Sequence, residues 1–469
     1  MRQCVSLTRL RPGCYHLTQK IRLRVGPSRP LVLFIMPTVA YCTLGCKVNQ
    51  YETEKIREKL ESLGFSTVSF ACRADVYIIN SCTVTGTADA KSRRAVRQAA
   101  RRNPDAFVVA TGCYAEIAPA AMAAIEGVGL VIGNDEKQHI PERILARFGT
   151  SDTFAPSQLS TLNSQLPRPR PRLRTRAVLK VQDGCGQFCA YCAVPYARTE
   201  VWSRALPDVL DELRALAAFG HKEVVLTGIR LGSYAHGLPE LIRAAAGVEG
   251  IERIRLSSIE VWEITDDLLR VLAEEPKVCR HLHIPLQSGD EQVLRLMRRP
   301  YTPNEYAETV RNVRKAIPEL GLTTDVMVGF PGETEEAFER SYRFVDEMQF
   351  SRLHVFRYSP RPRTAAAALP GRVPESVKTR RSEKMMRLGA ELARRFAGRL
   401  VGRTVPVLVE SGPGELLRGF TDNYIEVQFA GDPRLRGRIV HVTVDAVAEK
   451  GSALGRVLHH EGKEAEQAA

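Results

Sequence analysis

The sequence predicts an α/β protein: an N-terminal open parallel α/β domain, a central βα series forming a partial TIM-like barrel, and a small C-terminal β-barrel. Three observations predict this. At 469 residues the chain is too long for one ordinary core, with about 150 residues per domain as a guide. Short apolar runs alternate with helical stretches from residue 38 to about 356, the pattern of βα units around parallel sheets. After residue 401 the pattern changes to short strands separated by Gly or Asp-Asn turns, which suits a small β-barrel.

Taken in order, residues 1–35 carry Pro, Arg and scattered apolar residues without a helical or strand period. This extension is expected to be disordered: either a basic arm, or sequence lying before a true start at Met36, the favoured reading. Residues 36–149 alternate VAYCTLG, YETEKIREKLESLG, VYIIN, the basic helix through KSRRAVRQAARR, and FVVATG, which predicts a compact α/β domain. Residues 150–176 end in LPRPRPRLRTR, where prolines prevent regular pairing and five arginines stand without an acid. This is a linker, either a stiff solvated connector or a phosphate contact. Residues 177–400 supply strand candidates AVLKVQ, EVVLTG, RIRLSS, HLHIPLQ, TTDVMVGF and RLHVFRYS, then a long charged helix after Pro374. Residues 401–460 supply TVPVLVE, LLRGFTDN, YIEVQF and RIVHVTVDAVA, and 461–469 form a tail.

Composition narrows the function classes. With 44% hydrophobic and 26% charged residues this is a soluble globular composition. No apolar stretch approaches the roughly 18–20 residues that cross a bilayer, and residues 31–36 are shorter than the roughly 7–15 of a signal-peptide core. Eleven cysteines without secretory signals argue for metal ligation or catalysis in a reducing cytoplasm. A net charge of +14 favours a polyanionic partner such as nucleic acid, although half of that excess lies in residues 1–36.

In GCGQFCAYCAVP, Cys185, Cys189 and Cys192 are spaced CxxxCxxC directly after a strand, where one loop can wrap an inorganic cluster. Structural zinc normally closes its shell with four protein ligands, so three thiolates without a nearby His leave one iron open to a small molecule. A zinc site or three buried small hydrophobes is the alternative. The spacing, with Tyr191 before the third cysteine, resembles the radical S-adenosylmethionine superfamily. That resemblance implies S-adenosylmethionine on the open iron, lying across the C-terminal ends of a partial barrel. Four loops after strands agree with it: TGIRLG, SSIE, QSG and GFPGE. Thr227, Gly228, Ser257, Glu260 and Gln287 are the cofactor-binding candidates together with Tyr191.

Three further cysteines each follow an apolar strand: Cys46 after VAYCTLG, Cys82 after VYIINS, and Cys113 after FVVATG. Strand C-terminal ends share one edge of a parallel sheet, so these distant residues converge in the usual ligand crevice. There they can hold a second cluster. TLGCKVNQYETEK, NSCTVT and TGCYAE, followed by the CxxxCxxC loop and a terminal β-barrel, resemble the methylthiotransferases. The likeness covers residues 36 to about 460. GCKVNQYE and GFTDNYIEV most resemble the branch acting on threonylcarbamoyladenosine beside the tRNA anticodon.

The resemblance implies two [4Fe–4S] clusters and S-adenosylmethionine as radical source and methyl donor. The Cys185, Cys189 and Cys192 cluster would generate the radical that removes hydrogen from carbon 2 of the modified adenine. The Cys46, Cys82 and Cys113 cluster would carry the sulfur. It further implies a TRAM-type RNA-binding barrel, the tRNA anticodon stem-loop as partner, and a reductase, flavodoxin or ferredoxin as electron donor. Within the family, isopentenyladenosine of tRNA and a ribosomal-protein aspartate are the rival substrates. A non-catalytic iron–sulfur RNA-binding protein is the rival of another class.

Two departures from the family pattern stand out: Thr199 occupies a position usually glycine in VPYARTEVWSR, and residues 1–35 have no counterpart. Phe420, Asn423 and Tyr424 are either RNA contacts or turn and strand residues. His283 either faces the barrel interior near the cofactor or is a satisfied core residue. Cys4, Cys14, Cys42, Cys72 and Cys279 read as small buried thiols, with Cys42 the possible exception because it is near Cys46.

Overall fold

The computed structural model describes residues 37–148 and 174–458, plus the backbone of two short strands at 22–23 and 31–32, which pair antiparallel. The rest of the predicted extension, nearly all of the predicted linker and the predicted tail lie outside the described residues. The chain divides into two compact units, Met1–Pro167 and Arg168–Ala469.

The first unit is a five-stranded, wholly parallel sheet: β1 (Thr38–Thr43), β2 (Ser66–Val68), β3 (Val76–Ser81), β4 (Phe107–Gly112) and β5 (Val128–Val131), in the order β2-β1-β3-β4-β5. Every residue of β3 is buried, as expected of a central strand covered on both faces. One face packs Tyr77, Ile79, Val96 and Ala99, the other Val39, Ile56, Leu60 and Ile78. Helix α1 (Lys47–Ser62) follows β1, and α2 (Gly86–Arg102) follows β3. Thr85 caps α2 by accepting from the Ala88 N–H, and Arg101 and Arg102 sit in its last turn, where cations suit the helix dipole.

The second unit contains two three-stranded parallel sheets. One comprises β6 (Ala177–Lys180), β7 (Glu223–Thr227) and β8 (Arg253–Leu256). The other comprises β9 (His281–His283), β10 (Gly321–Val328) and β11 (Arg352–Arg357). Among the described residues, isolated bridges from Ile254 to Val278 and from Ser258 to His283 link the two. This is the partial barrel predicted from the βα alternation, with helices such as α3 (Leu206–Ala218) and α4 (Pro303–Ala316) between strands. The long charged helix α5 (Glu375–Gly398) leads out of it.

The C-terminal segment closes into a five-stranded barrel of β12 (Thr404–Ser411), β13 (Leu416–Thr421), β14 (Glu426–Ala430), β15 (Ile439–Val447) and β16 (Ala453–Val457). Its core is Val407, Val409, Leu417, Val427, Phe429, Val442 and Val444. The last strand is one the sequence reading did not single out.

This small barrel belongs to the same compact unit as the βα series because its β13–β14 turn plugs the N-terminal end of the partial barrel. Arg253 donates to the Phe420 and Pro406 carbonyls, and Arg255 to those of Asp422 and Thr421. Arg280 pairs with Asp422 at 2.6 Å. A Cβ at Gly321 would lie 2.0 Å from the Asn423 carbonyl oxygen, so only glycine permits that approach. Tyr424, held at φ +69°, stacks on Phe420 and His281 and receives the guanidinium groups of Arg176, Arg255 and Arg352. Phe420, Asn423 and Tyr424 are thus committed to packing, with Asn423 only 4% exposed. These contacts are what the turn-and-strand reading expects, and Phe420 and Tyr424 remain half-buried.

Candidate iron–sulfur sites

In the first unit, Cys46 is the residue before α1, Cys82 follows the last residue of β3, and Cys113 follows the last of β4. The shared C-terminal edge predicted from sequence brings them together: Cys82 feels both other thiols electrostatically. Glycines make the approach possible. A Cβ at Gly45 would sit 2.8 Å from the Cys82 Cβ and Sγ, and one at Gly112 would sit 2.4 Å from both Asn80 Oδ1 and the Ser81 carbonyl oxygen. Both glycines have positive φ, of +93° and +92°.

The Cys82 peptide is gripped from α2, since Ser92 Oγ accepts from its N–H at 3.2 Å and donates to its carbonyl at 3.1 Å. Burial pushes the Cys82 thiol up to about 11, against a backbone N–H of Val84 that favours the thiolate. Asn134 Nδ2 stands 3.9 Å from Cys113 Sγ. Cys42 lies on β1 and packs against the Tyr77 and Val96 core, with its thiol raised by burial, so it is not part of this group.

In the second unit, the loop 184–192 follows β6. Asp183 fixes its start by accepting from the Gly184 N–H, Lys180 and Arg198 at 2.7–2.8 Å. Ala190 donates to Met297 and accepts from Ala366 through the backbone, which pins the middle of the loop. The Gln187 N–H reaches Cys185 Sγ at 3.4 Å, and the Val194 N–H favours the Cys192 thiolate. Burial nonetheless pushes Cys192 up to about 12 and raises Cys185. Cys185 and Cys192, disfavoured as bare thiolates by burial, gain most from a bound cationic centre.

The thiolate-only donor sets and the N–H groups aimed at sulfur fit an iron–sulfur cluster. Among the described residues, only His283, Asp325 and His354 bring three ligand atoms within 4.8 Å of one another.

Of the other candidates, Glu260 is brought to the second-unit triad through Arg299. Both Glu260 oxygens accept from this guanidinium, which also lies 3.5 Å from Cys189 Sγ and is stacked on Trp262 and Tyr301. Tyr191 packs against the Ala190, Val293 and Phe330 cluster, and burial drives its hydroxyl well above its ordinary value. Thr227 ends β7, and a Cβ on Gly228 would meet Gln182 at 2.7 Å. Ser257 is 6% exposed and its Oγ has no hydrogen-bond partner. Gln287 has φ +65° and is bonded through its backbone to Asp325. No side-chain hydrogen bond joins Thr227, Gly228, Ser257 or Gln287 to the cysteines among the described residues. They share their strand edge.

Sequence reasoning missed Arg299, Trp262 and Tyr301. The only sequence signal is MRRP after the QSG loop, in a chain with two tryptophans. His283 is a satisfied residue: Nδ1 lies 2.9 Å from Thr323 Oγ1, Nε2 lies 3.3 Å from Asp325 Oδ1, and its ring stacks on His354. Asp325 is buried, which raises its pKa, yet the two histidines hold it well below the usual carboxylate range.

Residues 179–345 match the Radical SAM superfamily, and residues 38–133 match the uncharacterized protein family UPF0004. The chain is 41% identical over 428 residues to the threonylcarbamoyladenosine tRNA methylthiotransferase MtaB of Bacillus subtilis, covering 87% of this chain and 94% of that protein. It is 33% identical over 433 residues to the tRNA-2-methylthio-N(6)-dimethylallyladenosine synthase of Syntrophotalea carbinolica, covering 88% and 98%. The fold is similar to that of the radical S-adenosylmethionine methyltransferase TsrM from Kitasatospora setae, with a TM-score of 0.53 at 16% identity over 71% of this chain and 77% of that one.

Proposed function

Because the chain belongs to the radical S-adenosylmethionine methylthiotransferase family, we propose that it inserts a methylthio group at carbon 2 of N6-threonylcarbamoyladenosine beside the tRNA anticodon. The observation that carries this reading is the presence of two separate three-thiol sites, each at the C-terminal edge of a parallel sheet and each furnished with N–H donors to sulfur. One such site suffices for radical generation. A second gives the transferred sulfur a place to wait.

Cys185, Cys189 and Cys192 hold the radical-generating [4Fe–4S] cluster, and Cys46, Cys82 and Cys113 hold the sulfur-transferring one. When bound, these groups supply the electron that cleaves S-adenosylmethionine and an open iron for the sulfur. The chain's own residues do the positioning. Arg299 sets a fixed positive charge 3.5 Å from Cys189 Sγ and is itself held by Glu260 and two aromatic faces. Ser257 Oγ, buried without a protein partner, is available to a polar group of S-adenosylmethionine. Thr227, Gly228, Tyr191 and Gln287 complete the wall on that strand edge.

Residues 36–149 serve as the methylthiotransferase domain, 177–400 as the radical domain and 401–460 as an RNA-binding barrel. The partner is the tRNA anticodon stem-loop, and an external reductase, flavodoxin or ferredoxin supplies electrons. No helix among the described residues is long and apolar enough to cross a membrane; the proposed place of work is the cytoplasm, where the tRNA substrate is. The test is mass spectrometry of tRNA nucleosides from a deletion strain. Loss of methylthio-threonylcarbamoyladenosine is expected; its persistence in a strain with no second such enzyme overturns the reading. An isopentenyl-type product lost instead would point to the rival substrate.

A further inference from the structure

On the first unit, α2 carries Lys91, Arg94, Arg97 and Arg101 on its exposed face. These positions recur every three to four residues, so one cation projects about every 5 Å along the axis. Arg94, Arg97, Gln98, Arg101 and Arg102 line a shallow open groove. None of the four outward cations makes an ion pair or side-chain hydrogen bond among the described residues. The one acid of the helix, Asp89, is buried and accepts from Thr83.

The other two arginines of the helix are used differently. Arg93 donates to the Tyr114 hydroxyl and lies over its ring, and Arg102 lies 5.0 Å over the Phe70 ring. The outward cations are therefore not needed to hold the helix in place. Like charges three and four residues apart weaken a helix. Elsewhere the chain offsets such charges: on α5, Arg380, Arg381, Lys384 and Arg395 are each matched by Glu335, Glu333, Glu339 or Asp346. The stripe on α2 has no such match.

We propose that the Lys91, Arg94, Arg97 and Arg101 stripe docks the phosphate backbone of the RNA substrate. This rests on the tRNA reading above and adds to it the surface that grips the strand. The guanidinium fork matches phosphate oxygens, and regularly spaced cations match regularly spaced phosphates better than they match an irregular acidic protein surface. The same helix holds the Cys82 peptide through Ser92, so RNA gripped here is referenced to the sulfur-transferring cysteines.

The experiment measures binding of tRNA by the full-length holoenzyme between about 50 and 200 mM salt, comparing wild type with R94Q/R97Q/R101Q and R94K/R97K/R101K. Three lost phosphate contacts at about 0.7 each should make the log–log salt slope of the glutamine variant shallower by about two. Binding at about 0.1 M salt should weaken by roughly a hundredfold, while the lysine variant keeps the wild-type slope. Melting temperatures read on the same samples exclude unfolding. If wild type binds tRNA and the glutamine variant has an unchanged slope, the docking surface is refuted and an acidic protein partner takes its place. If wild type itself shows no salt-dependent binding to tRNA, the substrate reading fails together with it.

Discussion

Arg255→Met tests how the partial barrel and the small C-terminal barrel are held together. Arg255 is 2% exposed and its partner Glu223 is 0% exposed, with 2.7 Å between them. The same guanidinium donates to the carbonyls of Asp422 at 2.8 Å and Thr421 at 3.2 Å. Methionine fills much of the volume but leaves a buried carboxylate, an omission that costs about 3–5 kcal/mol in general. Arg253, 3.7 Å from Glu223, remains and brings the figure to the low end, about 3 kcal/mol. Two carbonyls losing a charged donor add about 1–2 kcal/mol together. A total near 4–5 kcal/mol should lower the melting temperature of this unit by roughly 10 °C.

The double variant Glu223→Gln/Arg255→Met removes the stranded charge and should regain about 2 kcal/mol relative to Arg255→Met alone. Acid provides a second readout. Burial raises the Glu223 pKa, but Arg255, with Arg176 and Arg253, outweighs it and leaves the group below its ordinary value. Its stabilisation is therefore present above the ordinary glutamate value of about 4.3 and is lost as pH falls through the lower folded value. The gap between wild type and Arg255→Met should narrow below about pH 4. Circular-dichroism melts at neutral and acid pH measure both effects. A double variant no more stable than Arg255→Met, with a gap that does not change in acid, would refute charge burial as the source of the cost.

Three further outcomes are expected. Replacing Cys46, Cys82 and Cys113 together by alanine should reduce reconstituted iron from about eight to about four per chain, with loss of methylthiolated product; unchanged iron content would remove the second site. Ser257→Ala should leave the melting temperature unchanged, because the hydroxyl has no protein partner, and should weaken S-adenosylmethionine binding by about 3–10-fold, the worth of one hydrogen bond. Gly112→Ala should destabilise the first unit by at least about 2 kcal/mol and lower its iron loading, since its φ of +92° and the 2.4 Å approach to the Ser81 carbonyl leave no room for a methyl group; thermal melts and iron analysis read both.

Much of the site was legible because its logic is topological. Cys46, Cys82 and Cys113 each follow an apolar run, and parallel strands place their C-terminal ends on one edge, so their meeting required no long-range information beyond the alternation itself. The CxxxCxxC loop was legible because its chemistry is local. Arg299 was not, since its partner Glu260 is 39 residues away and nothing in either neighbourhood marks a pair. The turn at 420–424 was misleading for a related reason. Its Asp-Asn sequence announces a turn but not which neighbour covers it, and the covering groups are Arg253, Arg255, Arg280 and Gly321, scattered over the starts of separate strands.

That covered turn also sets a length. The small barrel is fastened where the strands of the partial barrel begin, whereas Cys185, Cys189, Cys192 and the Ser257 hydroxyl lie where strands end. The strands that lead to them, β6 and β8, are 4 residues long each, about 13 Å of extended chain. On the function proposed above, an RNA held by the terminal barrel and reacting at the cysteine loop spans the depth of these strands, which the buried Glu223–Arg255 bracket helps to fix. On that proposed reading the protein works as a caliper, one jaw on the RNA body and the other at the reacting base, with its opening fixed by strand length.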